Sequence, residues 1–217
     1  MTRVDGNTVR TQRTRGRILD ESLALFNERG EPSVTTGDVA AAVGISPGNL
    51  YYHFRNKDQI VSELFARLEG RLDIDPRVSG DAAQAIEDLW LYLHLMLEAI
   101  WEFRFFYRNL HRVARSDRRL RERFNRIASR KLGAIESLCR ALAERGSLRA
   151  SDEEIRALAR NVLLVATYWL DFQALRRGRD DAADLGQGAY QVMSLVAPYL
   201  VGDARRHLER LGAAYVE

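Results

Sequence analysis

Between Thr35 and Gln59 the chain reads TTGDVAAAVGISPGNLYYHFRNKDQ: a short apolar-faced segment, a glycine turn, and a second short segment crowded with polar and aromatic tips. Thr35 or Thr36 can cap a helix that carries Asp38 in its first turn, where the helix dipole favours a carboxylate. Val39, Ala40 and Val43 recur on one helical face, Gly44 supplies the positive φ that closes a tight turn, and Ile45 packs back between the two helices. Ser46 caps the next helix with Pro47 at its first position, where a missing N–H costs nothing. In that helix, over 47–54, Leu50 and Phe54 take the buried i and i+4 positions. Asn49, Tyr51, Tyr52 and His53 are left to project elsewhere.

The rest of the chain reads as helices around this element. Four prolines in 217 residues and a scarcity of alternating Val/Ile/Thr runs predict an all-α fold, and 46% hydrophobic residues suffice for a sizeable core. A helix over 11–29 places Ile18, Ser22, Leu25 and Phe26 on one face, widened by Leu19 and Leu23, and Gly30 ends it. Asn56 and Gln59 form a capping-box-like pair opening a linking helix with Ile60, Leu64, Phe65 and Leu68 as its stripe. A break over 73–80 contains Pro76. Beyond it lie a broadly apolar helix over 81–101, an aromatic segment from Phe103 to Tyr107, a basic amphipathic helix over 117–145 ended by Gly146, a helix over 151–177 opened by Ser151 and Glu154, one over 186–200, and a short tail helix. The expected organisation is a disordered basic arm over 1–10, a helix-turn-helix domain over 11–73, and a larger helical ligand-binding and dimerisation domain over 74–217.

The tips of the short helix dictate its chemistry. A helix N-terminus offers unpaired N–H groups and a positive dipole end to a phosphate. The Thr36 and Tyr51 hydroxyls, the His53 ring and the Lys57 ammonium add donors whose spacing can follow one strand's backbone, contacts that position a protein without reading sequence. Base reading falls to the exposed start of the helix: Pro47 and Gly48 permit close approach, Asn49 can pair with adenine through two hydrogen bonds, and Tyr52 offers a ring to a thymine methyl. Arginines at 3, 10, 13, 15 and 17 make the approach to the first helix basic, and such an arm can track a phosphate backbone.

Residues 18–26, the paired threonines, the V-G-I-S turn and G-N-L-Y-Y-H-F-R-N-K-D together resemble the TetR family of bacterial transcriptional regulators over about residues 11–65. The resemblance implies DNA contacts at Thr36, Pro47, Gly48, Asn49, Tyr51, Tyr52, His53 and Lys57. It also implies a homodimer on a palindrome-like double-stranded operator, most often as a repressor, with an effector cavity among the central helices. Asn49 and Gly37 depart from the pattern, where many relatives carry threonine and a basic or polar residue.

Trp90, His94, Leu97, Trp101, Phe105, Tyr168 and Phe172 are the candidate cavity lining, although pocket walls and core faces share one periodicity. His94 and Tyr168 are polar tips in apolar helices and need partners when buried. The apolar surplus on the last two long helices points to a second copy as partner. Arginines from Arg104 to Arg126 form either a solvated face or a rim for an anionic amphiphile such as an acyl-thioester or fatty acid.

Catalysis, metals and cofactors find no motif: the histidines 53, 94, 111 and 207 are far apart and no glycine-rich phosphate loop occurs. The single cysteine, Cys139, suits a reducing compartment, and no apolar run approaches the roughly 20 residues that span a bilayer, so a cytoplasmic protein is expected. Cys139 reads as a buried inert thiol or, with Arg140 beside it, a redox-sensitive one. The alternative to a regulator is a small-molecule-binding or enzymatic helical protein whose N-terminal motif is vestigial.

Overall fold

In the computed structural model, which describes residues 6–74, 82–108, 110, 117–178 and 184–213, every named element is helical. Helix α1 (Gly6–Arg29) is followed by a 3-10 turn (Glu31–Ser33), α2 (Thr36–Val43), α3 (Pro47–His53) and α4 (Lys57–Leu72). Then come α5 (Ala82–Glu102), α6 (Arg104–Arg108), α7 (Arg118–Glu144), α8 (Asp152–Arg177), α9 (Asp184–Val196), a 3-10 turn (Ala197–Tyr199) and α10 (Gly202–Ala213). An isolated antiparallel bridge pairs Leu148 with Leu200. Two compact units result: the chain up to Gly70 joined by the aromatic segment that begins at Phe103, and Arg71–Glu102 with the chain from Leu110 onward.

In the first unit α1 starts at Gly6, so the part of the expected arm over 6–10 is helical; residues 1–5 lie outside the described residues. Ile18, Ser22 and Phe26 are fully buried, and the Ser22 hydroxyl donates to the Ile18 carbonyl at 2.7 Å, which satisfies it without a tertiary partner. Leu50, Phe54, Ile60, Leu64 and Leu68 complete this core at full burial. The aromatic segment, expected in the larger domain, belongs here. Phe105 packs against Phe26 with the rings tilted by 55°, and Phe106 meets Phe65 edge-on, each with ring centroids 5.2 Å apart. Asn27 fixes the segment's direction, accepting from the Phe105 N–H at Oδ1 (3.1 Å) and from Arg108 at its carbonyl (2.9 Å).

The second unit is built on α5, whose Ala85, Ile86, Leu93, Leu97 and Ala99 are fully buried. Asp117 caps α7, and Ser151 with Glu154 forms the capping box of α8, each such cap contributing about 1 kcal/mol. The Trp169 ring of α8 packs against α9 at Gly188, where an added Cβ would lie 2.6 Å from that ring. Within this unit, Lys131 of α7 donates to the Ile74 carbonyl at 2.8 Å, and Arg130 pairs with Asp73 at 2.7 Å. Most of the predicted break over 73–80, and Arg112 and Arg115 of the arginine run, lie outside the described residues.

Candidate nucleic-acid interface

Local chemistry sets the ends of α2 and α3. The Thr35 hydroxyl accepts from the Asp38 N–H at 3.1 Å while the Asp38 carboxylate accepts from the Thr35 N–H at 2.8 Å. The Thr35 side chain and then its backbone N–H hold the Asp38 carboxyl below the usual range. Gly44, with φ 72° and ψ 39°, closes the turn in the left-handed region. Ile45 donates back to the Ala40 carbonyl at 3.0 Å, which satisfies an otherwise orphan helix end. Ser46 then accepts from the Asn49 N–H at 3.2 Å, and Pro47 opens α3.

Two arginines of α1 lock the pair of helices from beneath. Arg17 Nη2 donates to the Val43 carbonyl, the last of α2, at 2.8 Å. Arg15 does the same for α3 through the His53 carbonyl, pairs with Glu63 of α4, and lies 4.1 Å over the Phe54 ring. Cations at both helix C-termini complement the dipoles while fixing the helices against α1. These two, which the sequence reading placed in a generally basic approach, are structural clamps; nothing in their local pattern distinguished them from Arg10 and Arg13.

With Leu50 and Phe54 facing the core, Pro47, Gly48, Asn49, Tyr51 and Tyr52 are exposed, Tyr52 by 74%, and His53 is partly buried. The Thr36 and Tyr51 hydroxyls lie 3.1 Å apart, forming one polar point from two helices. His53 has its pKa lowered, first by burial and then by Arg15, so its ring is neutral at neutral pH. Lys57 Nζ lies 2.9 Å from the Glu31 carboxylate and donates to the carbonyls of Glu31 (2.9 Å) and Val34 (3.0 Å). An ammonium has three N–H donors, so all are engaged. A groove of about 770 Å³ runs between the start of α1 and α3, with Arg10, Arg13 and Arg17 on one wall and Asn49, Tyr52 and His53 on the other.

The seven cavity candidates do not form one group. Phe105 is in the first unit, and Phe172 is half exposed with Arg176 5.7 Å above its ring, because its face of α8 turns outward. Leu97 is fully buried core. Trp90 and His94 do meet, with ring centroids 3.9 Å apart and His94 Nδ1 3.1 Å from the Trp90 carbonyl, so Nδ1 carries the proton. Trp90 Nε1 is buried with no hydrogen-bond acceptor among the described residues. Trp101 and Tyr168 are partly buried. Cys139 is buried, and burial pushes its thiol up to about 11 in spite of Arg140, which is paired with Glu136 at 2.9 Å.

A family model described as bacterial regulatory proteins, tetR family, matches residues 18–64, and one described as bacterial transcriptional repressor matches residues 61–208. A TetR-family regulator structure from Marinobacter aquaeolei is 38% identical with a TM-score of 0.80, covering 93% of this chain and 98% of that one. The regulator AcrR of Shigella flexneri is 31% identical over 87 residues, 38% of this chain and 40% of that protein. The repressor KstR2 of Mycobacterium tuberculosis is 44% identical over 59 residues, 27% of this chain and 28% of that protein. The chain thus spans less than half the length of these two relatives.

Proposed function

The chain belongs to the TetR family of bacterial transcriptional regulators, and from that premise we propose that it is a ligand-responsive repressor that binds a palindrome-like operator as a homodimer. The observation that carries the reading is the start of α3. Asn49 and Tyr52 stand exposed on a helix whose core side is filled and whose two ends are held by Ser46 and Arg15. A rigid short helix with free tips can enter a major groove, Asn49 and Tyr52 toward base edges, with Pro47 and Gly48 leaving room. Thr36, Tyr51 and His53 are placed to meet phosphates, and Lys57 joins them by exchanging one of its protein acceptors.

A C2 dimer presents two such helices to half-sites about one helical turn, roughly 34 Å, apart. The outward apolar residues of α8, Leu164, Phe172 and Leu175, support dimerisation through the last two long helices, α8 and α9. The effector site of this reading centres on the Trp90–His94 pair, the two candidate rings that meet. An apolar compound with an acceptor oxygen suits it, because the buried Trp90 N–H lacks one among the described residues. The effector favours release by preferring the geometry that does not bind DNA, since a ligand without that preference shifts nothing. Selection from a random duplex pool tests the reading: recovered duplexes should share a palindrome-like site, and a pool that never enriches contradicts it.

A further inference from the structure

We propose a second DNA contact outside the helix-turn-helix: the first turns of α1 form a phosphate-binding wall, with Arg10 and Arg13 as its anion ligands. The proposal rests on the DNA-binding reading above. Arg10, Arg13 and Arg17 fall at i, i+3 and i+7, so they line one face of α1, and that face borders the groove whose far wall carries Asn49 and Tyr52. DNA read by those two residues therefore runs past the arginines.

The wall is built for an anion. Arg17 is committed to the Val43 carbonyl, and Arg15, off this face, to Glu63 and the His53 carbonyl. Arg10 and Arg13 are exposed, with no ion pair or hydrogen bond from their guanidinium groups among the described residues. No carboxylate is among the described residues that line the groove. Helical backbone holds the two cations one turn apart, as the Thr14 hydroxyl bonded to the Arg10 carbonyl at 3.1 Å attests. One turn of helix rises about 5 Å. Phosphates of one DNA strand recur every 3.4 Å or so of duplex axis, so a pair at this spacing can meet neighbouring phosphates on the backbone flanking the groove that α3 enters.

The test is the salt dependence of binding to a random-sequence duplex, which reports phosphate contacts alone. Each neutralised phosphate contributes about 0.9 to the slope of log affinity against log salt, so Arg10→Ala with Arg13→Ala should lower the slope by about two for each bound protomer. Arg10→Lys with Arg13→Lys should restore it, because a phosphate accepts a point charge. Thermal unfolding of each variant should match the wild type, as both side chains are exposed. An unchanged slope in a folded double alanine variant overturns the proposal, as does a slope that lysine fails to restore, which would mark base reading instead. A wild-type chain that binds no duplex overturns the DNA-binding reading itself, and this proposal with it.

Discussion

The Lys57 ammonium lies 2.9 Å from the Glu31 carboxylate while also holding the Glu31 and Val34 carbonyls, so the first residue of α4 fastens the turn between α1 and α2. The pair is well shielded, with side-chain exposures of 26% and 14%. Hydrogen bonds to a charged group contribute about 1.5–3 kcal/mol, and a loss in that range is expected for Lys57→Ala in urea unfolding. Glu31→Gln keeps both carbonyl bonds and should lose less. An equal loss in the two variants would contradict this division of roles.

Gly44 carries no steric burden from its surroundings, since an added Cβ meets nothing within 4 Å, yet its φ is 72°. Gly44→Ala should therefore lower stability by about 1–2 kcal/mol through backbone strain alone. DNA affinity should follow only through the folded fraction. Thermal melts and binding titrations on the same samples check both halves of the statement.

His53 titrates in a direction that can be followed. Burial and Arg15 lower its folded pKa, so the unfolded chain binds more protons just below the ordinary value of about 6.5, and stability falls as pH drops through that value. A phosphate beside the ring acts in reverse: it raises the pKa in the complex, so DNA affinity should rise as pH falls in the same window. His53→Gln should flatten both profiles. A binding profile that keeps its slope in His53→Gln would remove His53 from the contact set.

Asn49→Ala should relax preference at one base pair of each half-site, by about 1–3 kcal/mol of discrimination. Binding to scrambled duplex should stay as it was. Competition with single-substituted duplexes measures this, and a uniform loss across all sequences would assign Asn49 to positioning instead.

A thiol pushed up to about 11 by burial is scarcely ionised at neutral pH. Cys139 should react with a thiol reagent only slowly in the folded protein and rapidly in urea. Fast labelling under native conditions would restore the redox-sensitive alternative.

What was legible in the chain was local. Thr35, Ser46 and Ser151 act on residues three positions away, Gly44 acts on its own backbone, and Leu50 with Phe54 obeys a single helical period; each was readable because cause and effect lie within one turn. The misses came from partners distant in sequence. Arg15 and Arg17 look like Arg10 and Arg13 until α2 and α3 fold against α1 and present the His53 and Val43 carbonyls. The Glu31 partner of Lys57 likewise comes from a turn distant in sequence. Phe105 follows α5 closely, yet its ring is claimed by Phe26 of α1, far earlier in the chain. The helical start at Gly6 was hidden because its polar residues show no apolar period. Among the cavity candidates, periodicity could mark faces as apolar but could not say which face turns outward, as that of Phe172 does.

The central claim is sequence-specific binding by α3, and a competition titration tests it most directly: the duplex recovered by selection against a scrambled duplex of the same length and composition, at physiological salt. The account predicts a preference of at least about 10³ for the selected duplex, the ordinary lower bound for specific over nonspecific binding. Equal affinity for the two duplexes would contradict it.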